Sequence, residues 1–255
     1  MNKLNKIFKE KKNRISSLFF TAGFPTLDST IPILKTLEKN KIDFVEVGMP
    51  YSDPMADGET IQNSSKIALE NGMNLDILFS QLEKAKNEVS IPMVLMGYLN
   101  QVLKYGVDKF CERCKTCGIE TVILPDLPIF EYEKFYKEKF EKYGIQNVFL
   151  ITPQTSEERI RKIDALSETF IYVVASASIT GAKSSISEKQ ISYFERIQKM
   201  NLKNPTMIGF GISNKETFDV ACEYANGAII GSAFIKMISN SENYMEEFQD
   251  WNFTK

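Results

Sequence analysis

Glu46 stands in the middle of an apolar run, Phe44-Val45-Glu46-Val47-Gly48. If the run is a strand, side chains alternate between its faces. Val45 and Val47 then face one way, and Phe44, Glu46 and Gly48 the other, towards an interior. A carboxylate turned inward is costly unless it is paired or takes up a proton. Burial raises its pKa, which suits a group that must give and take protons near neutrality. The plainer alternative is a Glu paired with Lys or Arg, or a frayed strand end. The loop that follows holds Asp53 and Asp57, with Pro50 and Pro54 stiffening the backbone and Gly58 permitting a tight turn. It can supply a second carboxylate, or it is a solvated acidic turn. The chain contains no histidine, so any acid–base chemistry falls to carboxylates, Tyr, Lys or Cys.

Three small-residue turns lie late in the chain: Thr180-Gly181-Ala182, Gly209-Phe210-Gly211 and Gly231-Ser232. Glycine lets backbone N–H groups come close to phosphate oxygens, and Ser232 could add a hydroxyl. Cys111, Cys114 and Cys117 form CERCKTC, a spacing with a metal-site look. A site would need a further ligand, and only Cys222 remains. Cys111 and Cys114 fit better as small buried hydrophobes on one helix face, so no metal is expected.

These residues need elements to position them. Eight short, mostly continuous apolar runs read as buried parallel strands, at 17–23, 44–49, 91–97, 121–125, 147–152, 170–176, 205–211 and 227–231. Helical patterns fall between them at 27–39, 75–89, 107–117, 130–143, 156–167, 214–224 and 232–248. Residues 2–12 read as an extra amphipathic helix that could cap the barrel bottom. Eightfold alternation predicts a closed (β/α)8 barrel, a TIM barrel, more than an open doubly wound sheet, and no GxGxxG follows the first strand. The 255 residues match the roughly 250 of one such barrel, which predicts a single domain over 1–255. Barrel sites sit at the C-terminal ends of the strands, often with phosphate on the loops after strands seven and eight.

Composition narrows the partners. Hydrophobic residues make up 43% and charged residues 25%, with net charge -2. There is no basic surplus for nucleic acid, no run of ~20 apolar residues for a membrane, and no signal-peptide pattern. Four cysteines without a secretory signal fit the cytoplasm.

EVGMPYSDPMADGETIQ resembles the signature of the tryptophan synthase α subunit family, E-[LI]-G-x-P-[FY]-S-D-P-x-A-D-G-P-x-I-Q. LMGYLNQVLKYG, LPDLP, TGA, GFGIS and GAIIGSAFIK are similar to its later motifs, in the same order, so that the likeness runs from about Phe19 to Lys236. The resemblance implies a retro-aldol lyase acting on indole-3-glycerol phosphate. Glu46 takes the place of the general acid–base, and Asp57 that of the carboxylate facing the indole N–H. Tyr172 lies beside them. Phe19, Tyr98 and Phe210 line the indole pocket. Gly181, Gly211, Gly231 and Ser232 hold phosphate, and Thr180 belongs to a closing loop after strand six. It also implies no cofactor, and a partner, the pyridoxal-phosphate β subunit, in an α2β2 complex. Asp53 and Pro54 are expected to touch that partner. Ser176, Ala177 and Ser178 depart from the family's usual Ser-Arg-x-Gly-Val-Thr-Gly, and Glu59 replaces a usual proline.

Two rival readings remain. One is a weakly catalytic subunit that mainly activates a partner, which would not need the Glu46 and Asp57 pair. The other is a related indole-pathway barrel using an interior lysine, and no strand candidate has one.

Overall fold

In the computed structural model, residues 2–54, 57–175, 186–209, 211–240 and 248 are described. Eight parallel strands close into a barrel in chain order. They are β1 (Ile15–Thr21), β2 (Phe44–Gly48), β3 (Met93–Met96), β4 (Thr121–Ile123), β5 (Gln146–Ile151), β6 (Ile171–Val174), β7 (Thr206–Gly209) and β8 (Gly227–Ile230). β8 returns to pair with β1, with Ile15 opposite Gly227. That closure needs the glycine, because a side chain on Gly227 would overlap the Ile15 backbone. All eight expected strands are in place, most of them shorter than the apolar runs that announce them. The runs extend past the ladder because flanking residues such as Ile91 and Leu124 stay buried after pairing ends.

The helices are α1 (Lys3–Glu10), α2 (Thr30–Lys39), α3 (Glu59–Glu70), α4 (Leu75–Ala85), α5 (Leu99–Tyr105), α6 (Val107–Cys117), α7 (Ile129–Glu131), α8 (Lys137–Tyr143), α9 (Glu157–Leu166), α10 (Glu188–Lys199), α11 (Lys215–Tyr224) and α12 (Ser232–Asn240). A π turn over Tyr132–Tyr136 joins α7 to α8. Local chemistry sets their ends. Asn74, Ser156 and Asn214 accept first-turn amides from Ile77, Arg159 and Thr217. Gly118 and Gly144 end α6 and α8 in the left-handed conformation, with φ of 72° and 73°.

α3, α5 and α10 are additions to the helices read from sequence. α3 packs through Ser64, Ser65 and Ala68, so it has no large apolar stripe. The Ser64 hydroxyl instead meets the Thr21 hydroxyl at 2.7 Å. α5 has seven residues, too few to show a period. α10 did carry a signal: a Ser187–Gln190 capping box and buried Tyr193, Phe194 and Ile197. Of the helix expected over 232–248, the described part is α12 and Phe248, which packs on Phe234 with ring centroids 5.5 Å apart.

The barrel floor is aromatic. Phe44 from β2, Phe170 just before β6 and Phe8 from α1 pack together, with centroids 5.6–6.4 Å apart. The Asn2 side chain fastens α1 from below. It donates to the Glu120 carbonyl, the Thr121 hydroxyl and, at 2.8 Å, Gln146 Oε1. The extra helix therefore caps the bottom, as expected. Cys111, Cys114 and Cys117 are fully buried on α6. Burial pushes the Cys111 thiol up to about 12 and that of Cys117 to about 11, which keeps them protonated core side chains.

Candidate active site

Alternation along β2 places its residues as the sequence implied. Phe44 lies in the floor, Glu46 is the next inward residue, and Gly48 is at the mouth. The register sets Glu46 beside Phe19 of β1 and Val94 of β3. The Phe19 ring fills the space where a side chain on Gly48 would stand. Glycine at that position is what lets an aromatic ring lean over the carboxylate's strand.

Glu46 is 0% exposed. Among the described residues, neither of its carboxyl oxygens has a hydrogen-bond partner. The alternative of a Glu paired with Lys or Arg is thereby removed. Burial alone pushes its carboxyl up to about 8, so the resting side chain is mostly protonated at neutral pH. A buried group with two unsatisfied oxygens calls for a function or a bound molecule.

Asp57 is also buried, on the loop just before α3. Burial raises its pKa, and a hydrogen bond from the Tyr98 hydroxyl (3.0 Å) opposes the rise. The two carboxyls thus differ in surroundings, one dry and unpartnered, the other partnered by a phenol. Gln62 fixes the Asp57 backbone, donating to its carbonyl at 2.7 Å. Tyr172 of β6 is buried within electrostatic reach of both groups. Burial first, then the charges of Glu46 and Asp57, push its hydroxyl well above the usual phenol range. Its hydroxyl occupies the space where a side chain on Gly209 would be. Gly209 therefore belongs to the barrel wall and makes room for the tyrosine.

At the rim, Gly231 precedes α12, and its carbonyl accepts from the Ile235 N–H at 3.0 Å. The first-turn amides of α12 begin at Ser232, at the C-terminal end of β8, in the position where helix starts bind anions. A side chain on Gly231 would lie 3.7 Å from both Phe19 and Ile61, so this turn adjoins the ring beside Glu46. Gly211 has φ of 86° and lies near the Gln190 amide of α10. Thr180, Gly181 and Phe210, with Ser176, Ala177 and Ser178, lie outside the described residues.

Asp53 is exposed and Pro54 half-buried on the loop after β2. Glu59, at the first position of α3, explains the departure from proline. That position suits proline because no N–H is needed there, and an acidic residue because it faces the helix dipole. An open cavity of about 820 Å³ lies to the side, between α3 and α12, and is bordered by Ser52 and Pro54. Neither Glu46 nor Asp57 lines it, and the chemistry points to the barrel interior instead.

Sequence reasoning placed Tyr98 in a pocket wall and missed its bond to Asp57. The two residues are 41 positions apart, and no local pattern links them.

A closed eightfold barrel with one buried carboxyl inside it on β2, a second on the loop that follows, and a glycine–helix turn after β8 has the layout of the barrel enzymes, whose sites lie on the βα loops. The family model for the tryptophan synthase alpha chain matches residues 5–253. The chain is 56% identical to the tryptophan synthase alpha chain of Flavobacterium johnsoniae, over 94% of this chain and 95% of that one. The Bacteroides thetaiotaomicron alpha chain is 52% identical over 95% of each. The fold of the present chain superposes on a chain of the Pyrococcus furiosus tryptophan synthase complex with a TM-score of 0.83 at 34% identity, covering 92% of this chain and 94% of that one. The chain belongs to the tryptophan synthase alpha chain family.

Proposed function

We propose that the protein cleaves indole-3-glycerol phosphate into indole and glyceraldehyde 3-phosphate, a carbon–carbon lyase step of tryptophan biosynthesis. The observation that carries this reading is Glu46, a dry, inward, unpartnered carboxyl beside a differently held Asp57. In the retro-aldol step, carbon 3 of the indole gains a proton, the bond to the glycerol chain breaks, and the neighbouring hydroxyl loses its proton to become the aldehyde. Glu46 rests protonated and gives its proton to carbon 3. As a carboxylate it then takes the hydroxyl proton and ends as it began. Protonation of the ring makes the indole N–H acidic, and Asp57 faces the charge that develops there. Two carboxyls in unlike surroundings divide the work. Phe19, Tyr98, Tyr172 and Phe210 form the indole pocket. Thr180 and Gly181 close over substrate, and Gly211, Gly231 and Ser232 bind its phosphate. The reading is tested by indole release from indole-3-glycerol phosphate with the isolated chain; no release with an intact fold would refute it.

Gly231 is the better of the two glycines for testing the phosphate site. A side chain at Gly211 is strained by its positive φ, whereas one at Gly231 meets only ordinary contacts. Gly231→Val should weaken glycerol phosphate binding by at least about tenfold, or 1.4 kcal/mol, in titration calorimetry. An unchanged Kd places the phosphate elsewhere.

Indole is small and apolar, and direct transfer to a second active site prevents its loss. The proposed partner is the tryptophan synthase β subunit in an α2β2 complex, with Asp53 and Pro54 at the contact. Docking then helps to hold Asp57 in place. Adding β subunit should raise kcat, and Asp53→Ala should reduce that activation more than the basal rate. Equal losses with and without the β subunit would assign Asp53 to the local site.

A further inference from the structure

The loop after β2 leaves the strand at Pro50 and returns to the site at Asp57, and both ends are tied to the first turn of α5. At the near end, the Gln101 side chain donates to the Pro50 carbonyl at 2.9 Å and accepts the Tyr98 backbone N–H at 3.0 Å. Asn100 donates to the Tyr51 hydroxyl at 2.9 Å, and the Tyr51 ring packs on that of Tyr98 with centroids 5.3 Å apart. At the far end, Tyr98 donates to Asp57. Gly97 lets the Gln101 amide sit close, since a side chain there would lie 2.8 Å from its Oε1 and would overlap Met49. Asp126, from the loop after β4, accepts the Leu99 N–H at 2.8 Å and holds the same turn from the other side.

We propose that Gln101 is a positioning residue for the cleavage reaction, clamping the loop after β2 to the loop after β3 so that Tyr98 presents its hydroxyl to Asp57. The inference rests on the lyase reading above. Gln101 is half-buried outside the barrel interior, and it acts through Tyr98. Its two hydrogen bonds have different jobs. Accepting from Tyr98 caps α5, which is a structural service. Donating to Pro50 joins the two loops, and only an amide does both.

Gln101→Glu separates these jobs. A carboxylate still accepts the Tyr98 N–H, but it has no proton for the Pro50 carbonyl and repels it. Gln101→Met keeps the length and loses both bonds. Both variants should lower kcat by about tenfold with KM changed less than about twofold, because the loss concerns a group acting in the transition state. In an Asp57→Asn background, either substitution should cost less than about twofold more, as expected for residues acting through one group. Single-turnover indole release and chemical unfolding would be measured on all variants. A Gln101→Glu protein with wild-type kcat reduces Gln101 to a helix cap and overturns the proposal. So does a full tenfold loss on top of Asp57→Asn. If the Met variant fails to fold, the Glu variant carries the test. Wild-type protein that releases no indole refutes the lyase reading itself, a result distinct from an active wild type with unaffected Gln101 variants.

Discussion

Glu46→Gln should abolish cleavage and, in the same protein, remove a pH-dependent loss of stability. The amide matches the carboxyl in size but cannot shuttle a proton. The expected fall in turnover is at least the ~10²–10⁴-fold typical of acid–base catalysis. Turnover within about tenfold of wild type would remove Glu46 from that role. The stability effect has a definite sign. Burial raises the folded-state carboxyl from 4.5 to about 8, so between those values the folded chain holds a proton that the unfolded chain has released. Stability contributed by the protonated group is complete below 4.5 and declines as pH rises to about 8, by up to ~5 kcal/mol. Glutamine has no such titration, and its buried amide adds only a constant term. Urea unfolding at pH 5 and pH 8 should show wild type losing ground to the variant at the higher pH. Parallel behaviour of the two proteins would mean that water reaches Glu46.

Asp57→Asn should act differently. Asparagine can still accept the Tyr98 hydrogen bond through its side-chain oxygen, so the loop keeps its anchor. The negative charge is lost, and with it, on the proposed mechanism, the interaction with the developing charge on the indole nitrogen. The expected loss in kcat is ~10²–10³-fold, the range for removing one oriented electrostatic group, with substrate binding little changed. Equilibrium binding and single-turnover rates separate the two effects. If the main change is in binding, Asp57 anchors the ground state. Both experiments turn on surroundings that the fold makes unlike, a carboxyl with no partner and one with a phenol.

The inward turn of Glu46 could be read from its neighbours, because alternation in Phe44-Val45-Glu46-Val47-Gly48 leaves a single consistent choice once Val45 and Val47 face the helices. The strands were legible for the same reason: buried on both faces, they must be continuously apolar. α3 was not, because it approaches the barrel through Ser64, Ser65 and Ala68, and small polar side chains look like loop. The missing half of the site is tertiary. Tyr98 reaches Asp57, and Gln101 reaches Pro50, only after β2 and β3 pair and set their loops side by side. A chain pattern records which face a residue takes, and it does not record which loop will lean on which.

The aromatic floor has a consequence for traffic. With Phe44 and Phe170 fully buried and α1 fastened across them, the barrel resembles a flask with its base sealed. Whatever enters to meet Glu46 does so through the neck, and the fragments it becomes depart by the same neck. A body seated on that neck would stand over the exit of every fragment, and a volatile, oily product could be handed on without touching bulk water.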